Sequence, residues 1–305
     1  MTNGKLTNPS VLRSLLAERG IRPSKHLGQN FLVDEAIVQK LVARIEERSP
    51  EIILEIGPGL GVFTERLARA ARRLVAVELD RRLADGLRER TARFPQVEVR
   101  TSDILGVDLT RAFDGRKILV FGSLPYRITS PILRHLIEHR SVIQTACVIT
   151  QAEVAAKIAA SPGKDGSALG LLVRSYAEVS DPLRISARCF WPTPKVDSAY
   201  WEMAFRRAPR FDAQESAFFQ VVRVLYGNRR KMIRRALQEL PAIDDVSAVL
   251  DQADVDGTAR GEALSFEALD RLAQAIARLS PEMSSRDHSP RGPDAWQDAQ
   301  DSQGH

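Results

Sequence analysis

The chain has 305 residues, 44% of them hydrophobic and 27% charged, with 44 Lys+Arg against 39 Asp+Glu and a net charge of +5. At roughly 150 residues per domain this length predicts about two domains, with at least one sizeable core. The apolar share excludes a disordered chain, no apolar run approaches the roughly 18 residues of a membrane span, and Cys147 and Cys189 make neither a disulfide framework nor a metal-ligand spacing. The opening MTNGKLTNPS lacks the apolar segment of a secretory signal, so a cytoplasmic protein is expected. From Pro281 onward there are two basic and five acidic residues, so this tail carries −3 and residues 1–280 carry +8. A body of that sign suits an anionic partner.

Residues 1–50 read as a helical lead-in. An amphipathic stretch, VLRSLLAERG, stops at Gly20. A polar loop with Lys25, His26, Gly28, Gln29 and Asn30 follows, and Asp34 is placed to N-cap a helix over AIVQKLVARIEE. From Glu51, short apolar runs (IILEIG, RLVAVEL, VEVRTSD, KILVFGSL, TACVITQ) alternate with helical segments (VFTERLARAA, RRLADGLRER, SPILRHLIEH). That alternation predicts an α/β fold with a parallel sheet covered on both faces. LLVRSYAEVSDPLRIS and VDSAYWEMAFRR read as strands added antiparallel at the sheet edge. The break at RRAPRFD separates a first domain, 1–206, from a helical one, 207–279, and the tail 280–305 has the composition of a disordered segment.

The chemistry gathers at the strand ends. ILEIGPGLG ends a buried strand, then Gly57, Gly59 and Gly61 alternate directly before a helix. Such glycines let backbone N–H groups approach a ligand, although a plain strand-to-helix turn reads the same way. Glu78 ends the next strand, where a carboxylate is positioned to accept from both ribose hydroxyls, and Asp103 ends the third, where one could accept from an adenine amino group. Each acid alone reads equally as a cap or a solvated loop residue; three features in register favour an adenosyl ligand. Ser123-Leu124-Pro125-Tyr126 ends the fourth strand and brings a hydroxyl, a proline and an aromatic to the same mouth. Acceptors on the hydrogens of an adenine amino group would favour the pyramidal nitrogen that methyl transfer needs, and Tyr126 would stack on the flipped base. By itself the tetrapeptide is also a proline-anchored turn.

Together these motifs resemble the KsgA/RsmA family of ribosomal RNA adenine dimethyltransferases. KHLGQNFL (25–32), ILEIGPGLG, SLPY (123–126), FWPTPKVDSA (190–199) and NRRKMIRRAL (228–237) occur in the family's order, over residues 20 to 275. The resemblance implies a Rossmann-like class I S-adenosylmethionine methyltransferase sheet with a small all-helical C-terminal domain. It implies dimethylation of N6 on two adjacent adenosines in the 3′-terminal hairpin of small-subunit rRNA, within ribosome biogenesis. Carried over by position, Asn30 and Leu32 hold the cofactor from the N-terminal loop. Gly57, Gly59 and Gly61 hold its methionine part, Glu78 the ribose and Asp103 the adenine. Ser123, Leu124, Pro125 and Tyr126 form the catalytic turn, with Tyr126 and Phe190 clamping the target base. Ser123 departs from the family's usual asparagine; it keeps an acceptor oxygen but is shorter.

Arg223, Arg229, Arg230, Lys231, Arg234 and Arg235 form a basic run with no compensating acid until Glu239. On a continuous helix Arg230, Lys231 and Arg234 share a side, which suits RNA phosphates better than an ordinary solvated face. His135 and His139, an i, i+4 pair with no third ligand, read as a surface pair, and Cys147 as core. No metal is expected. The implied partners are small-subunit rRNA and the 30S-type subunit or its assembly intermediate, bound by a monomer with no membrane contact. Two other readings stand beside this one: a related methyltransferase acting on large-subunit rRNA, and a non-catalytic RNA-binding assembly or transcription factor on the same fold.

Overall fold

Side-chain oxygens set most of the helix starts. In the computed structural model, which describes residues 5–24, 28–161, 166–228, 230–240, 243 and 245–279, Asn8 opens α1 (Pro9–Glu18) by accepting from Ser10 N. Asp34 opens α2 (Glu35–Glu46) by accepting from Ile37 N at 3.0 Å, and the two-residue strand β1 (Phe31–Leu32) lies between the two helices. The alternation that follows is β2 (Ile52–Ile56), α3 (Thr64–Ala70), β3 (Arg73–Glu78), α4 (Arg81–Thr91), β4 (Val97–Thr101), α5 (Leu109–Ala112), β5 (Ile118–Ser123), α6 (Thr129–Glu138) and β6 (Ile143–Gln151). Residues of β2 are buried throughout, which is why this strand reads as an unbroken apolar run.

Beyond β6 come α7 (Ala152–Ala159), α8 (Ala168–Tyr176), β7 (Ala177–Val179), β8 (Leu183–Ile185), β9 (Phe190–Trp191) and β10 (Ser198–Phe205). The sheet order is β4-β3-β2-β5-β6-β10-β7, with β8 also on β10. The pairs β3–β4, β2–β3, β2–β5 and β5–β6 are parallel. The order reverses direction between β2 and β5, and in open α/β sheets that reversal leaves a crevice at the carboxyl ends of the strands.

One expectation for this region is corrected. LLVRSY is helical, because Ser167 caps α8 by accepting from Gly170 N at 3.0 Å and the helix buries Leu171, Leu172, Val173 and Tyr176. A segment buried on several sides loses the polar alternation that separates helix from strand. The antiparallel addition at the sheet edge is as expected: β10 pairs antiparallel with β6 from Ser198↔Gln151 to Ala204↔Thr145 and carries β7 and β8 beyond it.

The chain divides into two compact units, one formed by residues up to Ala155 with Glu178–Phe205, the other by Ala156–Ala177 with the chain from Arg206. The sequence break falls beside Arg206, but 156–177, assigned above to the first domain, packs with the helical unit. There, α9 (Glu215–Gly227), α10 (Ile233–Leu237), α11 (Val246–Ala253) and α12 (Phe266–Leu279) enclose an aromatic cluster. Phe211 stacks on Phe218 at 4.4 Å between centroids, and Phe218 on Phe266 at 5.4 Å. Buried Asp270 accepts from the backbone N–H of Asp212 (3.1 Å) and Ala213 (2.9 Å), fixing the chain as it enters. The continuous helix expected to carry Arg230, Lys231 and Arg234 on one side is broken between α9 and α10. Ile233 N donates to Ala259 O and Arg234 N to Gly257 O, so these N–H groups leave the helical ladder.

Gly61 turns the chain from β2 toward α3 at φ +90, and a Cβ there would lie 2.5 Å from Leu87 Cδ1. Gly61→Ala therefore combines backbone strain with overpacking and should lower stability by roughly 2–4 kcal/mol. A urea midpoint equal to wild type would show that Leu87 moves aside freely.

Candidate cofactor and substrate site

The carboxyl ends of β2, β3, β4 and β5 open into one cavity of about 480 Å³, within the range of small-molecule sites. Its lining includes Asn30, Leu32, Gly57, Gly59, Glu78, Asp103, the Ser123–Tyr126 turn and Phe190. Glu78 closes β3 with its carboxylate only 7% exposed. One oxygen accepts from Gly59 N at 2.9 Å and the other from Asp80 N at 3.0 Å. Burial pushes its pKa up and these N–H groups pull against that shift. Gly59 has φ +60, and a Cβ on it would meet the Phe31 ring at 2.9 Å, so only glycine lets the N-terminal loop close down on this turn.

The N-terminal loop is stitched across the site. β1 pairs antiparallel with β9, Phe31 opposite Trp191 and Leu32 opposite Phe190, which joins the first and fourth sequence motifs in one ribbon. Asn30 Nδ2 donates to Gly28 O at 3.1 Å, and Gly28 lies against Pro125, whose Cβ would be 3.3 Å from an added Cβ. Lys25, His26 and Leu27 lie outside the described residues. Across the cavity, Leu124 N donates to Ile149 O, anchoring the turn after β5, and Tyr126 Oη shares a 2.7 Å hydrogen bond with Ser198 Oγ. Tyr126 is half-buried and its phenol is pushed up by desolvation.

Several positions differ from expectation. Asp103 lies two residues past the end of β4, exposed, with Oδ1 accepting from Leu105 N at 3.0 Å. Gly61 is not part of the cavity lining and packs behind it on Leu87. His135 is buried rather than a surface residue; burial and neighbouring His139 push it down to about 4. Cys147 is core as expected, and burial pushes its thiol up to about 12. Arg223, Arg230, Lys231, Arg234 and Arg235 are exposed in the helical unit, while Arg229 and the tail 280–305 lie outside the described residues. Lys231 precedes α10 and pairs with Glu239, and Arg234 donates to Ser247 Oγ, so the shared helical side dissolves. Asn228 also donates to Glu239.

Sequence reasoning missed Phe31, Glu55, Leu79, Leu105 and Arg127 in the lining. Leu79 and Leu105 follow the strand-end acids and are 52% and 37% exposed, apolar rims suited to a flat base. Glu55 is only 2% exposed, its Oε2 has no hydrogen-bond partner among the described residues, and burial with the charge of Glu78 pushes it up to about 8. An adenosyl sulfonium fits this lining: acidic side chains offer acceptors, apolar rims suit a base, and a glycine turn leaves backbone room.

The sheet order and this strand-end cavity define a class I methyltransferase fold. Residues 21–278 match the family Ribosomal RNA adenine dimethylase. The chain is 37% identical over 285 residues to Ribosomal RNA small subunit methyltransferase A of Shouchella clausii, covering 90% of this chain and 96% of that protein. A protein of the same name from Pelotomaculum thermopropionicum is 36% identical over 286 residues, 89% of this chain and 97% of that one. Among solved structures, 23S rRNA methyltransferase ErmE superposes with a TM-score of 0.64 at 30% identity, covering 81% of this chain and 99% of that one. A dimethyladenosine transferase from Plasmodium falciparum reaches a TM-score of 0.70 at 21% identity, 82% and 98%, a likeness of fold. The chain belongs to the ribosomal RNA adenine dimethylase family, and it is an enzyme whose cofactor is S-adenosylmethionine.

Glu55 sets a pH test. Its folded pKa lies above its unfolded value, so the folded state binds the proton more tightly and this contribution to stability is lost as pH rises from about 4.5 toward 8. Glu55→Gln removes that dependence. The Tm of the ligand-free variant should gain on wild type steadily across this window, and parallel Tm–pH curves would refute a buried proton.

Proposed function

We propose that this protein transfers methyl groups from S-adenosylmethionine to N6 of two adjacent adenosines in the 3′-terminal hairpin of small-subunit rRNA, as a step in ribosome biogenesis. The observation that carries the reading is that Tyr126 and Phe190, the two aromatics of the target clamp, line the same cavity as Glu78 and the glycine turn. A cofactor pocket alone fits many methyl acceptors; a cofactor pocket sharing its mouth with two aromatics and an acceptor turn fits a splayed base. The protein acts as a cytoplasmic monomer on the subunit or its assembly intermediate, residues 1–206 for chemistry and 207–279 for RNA.

In this reading Glu78 accepts from the ribose hydroxyls through lone pairs not used by Gly59 and Asp80, and Asp103 accepts from the adenine of the cofactor. Asn30, Leu32, Gly57 and Gly59 enclose its methionine part, with Leu79 and Leu105 on the adenine. When bound, the cofactor supplies a methyl carbon on a sulfonium, which is already an activated leaving group. Tyr126 and Phe190 sandwich the target adenine and exclude water from its edge. Ser123 Oγ and the backbone carbonyls of the turn accept from the N6 hydrogens, which draws the nitrogen lone pair out of conjugation with the ring. The cofactor would supply the methyl carbon to that lone pair while its sulfur keeps the bonding electrons, and Ser123 Oγ and the turn carbonyls would hold the N6 proton until it passes to solvent. The chain supplies position and desolvation; no strong base is needed.

Arg223, Arg230 and Arg235 contact RNA phosphates. They are exposed and make no ion pair among the described residues, whereas Lys231 is held by Glu239. Such contacts position the substrate without reading bases. The likeness to ErmE keeps large-subunit rRNA as the second reading.

Labelled S-adenosylmethionine with unmethylated small subunits decides between them. Dimethyladenosine on two adjacent 3′-terminal residues is the expected product, and label on large-subunit rRNA, or none, rejects the reading. Tyr126→Ala should lose activity by about 100-fold or more, while Ser123→Asn should keep or raise it. A dead Ser123→Asn refutes the acceptor role of this position. Changing Arg223, Arg230 and Arg235 to Gln should weaken rRNA binding and flatten its salt dependence by about 0.7–0.9 in slope for each phosphate no longer neutralised. Unchanged binding would clear the helical unit of this role.

A further inference from the structure

Among the described residues a single cation, Arg127, lines the cavity that holds Glu55, Glu78 and Asp103. It follows Tyr126 directly inside the short 3-10 turn Tyr126–Ile128 and is exposed. The turn itself is fixed: Ile128 N and Thr129 Oγ1 both donate to Pro125 O at 3.1 Å, and Tyr126 is tied to Ser198. Other arginines of this unit sit on carboxylates, Arg66 on Glu35 at 2.9 Å, Arg82 on Asp80 at 2.9 Å, Arg88 on Asp85 at 2.6 Å and Arg184 on Asp197 at 2.6 Å. Arg127 has no such partner among the described residues, and neither do exposed Arg188 and Lys195, which flank Phe190–Trp191 in the chain.

We propose that Arg127 binds the phosphodiester next to the target adenosine and so sets where the base enters the clamp. The inference rests on the reading of the site as one for RNA adenosine. Glu78 and Asp103 are taken up by the cofactor on that reading, so an unpaired arginine on a fixed turn at the same mouth answers to a second ligand, one of negative charge. A nucleotide turned out of its stack leaves its flanking phosphates at the entrance of the pocket that takes its base. A guanidinium matches phosphate oxygens with two parallel N–H donors and keeps its charge at every working pH. Such an interaction carries no base information, so its removal appears in RNA affinity and its salt dependence.

The test compares wild type, Arg127→Gln and Arg127→Lys with unmethylated small subunits, and titrates S-adenosylmethionine separately by calorimetry. For Arg127→Gln the KM for subunits should rise about tenfold. The slope of log affinity on log salt should shrink by about 0.7–0.9. Cofactor affinity should stay within about twofold, which also reports an intact fold, and Arg127→Lys should fall between. Unchanged subunit KM and salt slope, or cofactor affinity lost in step with RNA affinity, overturns the proposal. A wild-type protein that methylates no rRNA adenine overturns the underlying reading and this one with it; a methylating wild type matched by Arg127→Gln removes Arg127 alone.

Discussion

The site depends on one buried carboxylate. Glu78 ends β3 almost wholly out of water, and such a group is tolerated only where donors replace its hydration. Gly59 N and Asp80 N do so, one per oxygen, and each bond fixes a different piece of chain. The first holds the glycine turn against β3. The second sets Asp80, which then caps α4 through Arg82 N and accepts from Gln29 Nε2 at 3.4 Å, reaching into the N-terminal loop. Each carboxylate oxygen has a second lone pair, so these bonds leave acceptor capacity toward the cavity. The residue that organises the site is thereby still available to a ligand.

A second constraint joins what the chain keeps furthest apart. The β1–β9 ribbon has two residues per strand, and a ribbon that short has little stability alone. It persists because Phe31, Leu32 and Phe190 are buried in the core of their unit, with the Phe31 ring filling the space that Gly59 leaves open. Register does the rest, because a one-residue slip would turn Phe190 to the opposite face. The loop over the glycine turn and the aromatic Phe190 in the cavity lining are held by the same four residues.

This explains what was legible in the sequence. The strands, Glu78, the glycine turn and Tyr126 declare themselves because their demands are local: an apolar run, an acid at a strand end, a backbone that must bend; Phe190 came from the family resemblance alone. Glu55 did not, since an acid inside an apolar strand looks like the end of that strand until its burial is seen. Gly61 was assigned to the ligand, yet its constraint is the Leu87 methyl behind the turn. The break after α9 and the pairing of Lys231 with Glu239 depend on where the 257–259 segment and α10 sit, and no window of residues 217–240 contains that information. Likewise 156–177 joins the helical unit through packing that sequence order hides.

The charges around the cavity are less equal than their formal count. Exposed Asp103 keeps its hydration, Glu78 has two backbone donors, and Glu55 has neither, so Glu55 holds its proton near neutral pH. The three acids therefore do not act as one block of negative charge. On the proposed reading these face a ligand whose sulfur is positive before transfer and neutral afterwards. Charge on buried Glu78 acts through a poorly screened interior, so it bears more on the positive form than on the neutral one. On that reading the charge that changes in the reaction belongs to the cofactor alone, while Tyr126 and Phe190 meet a neutral base before and after each methylation.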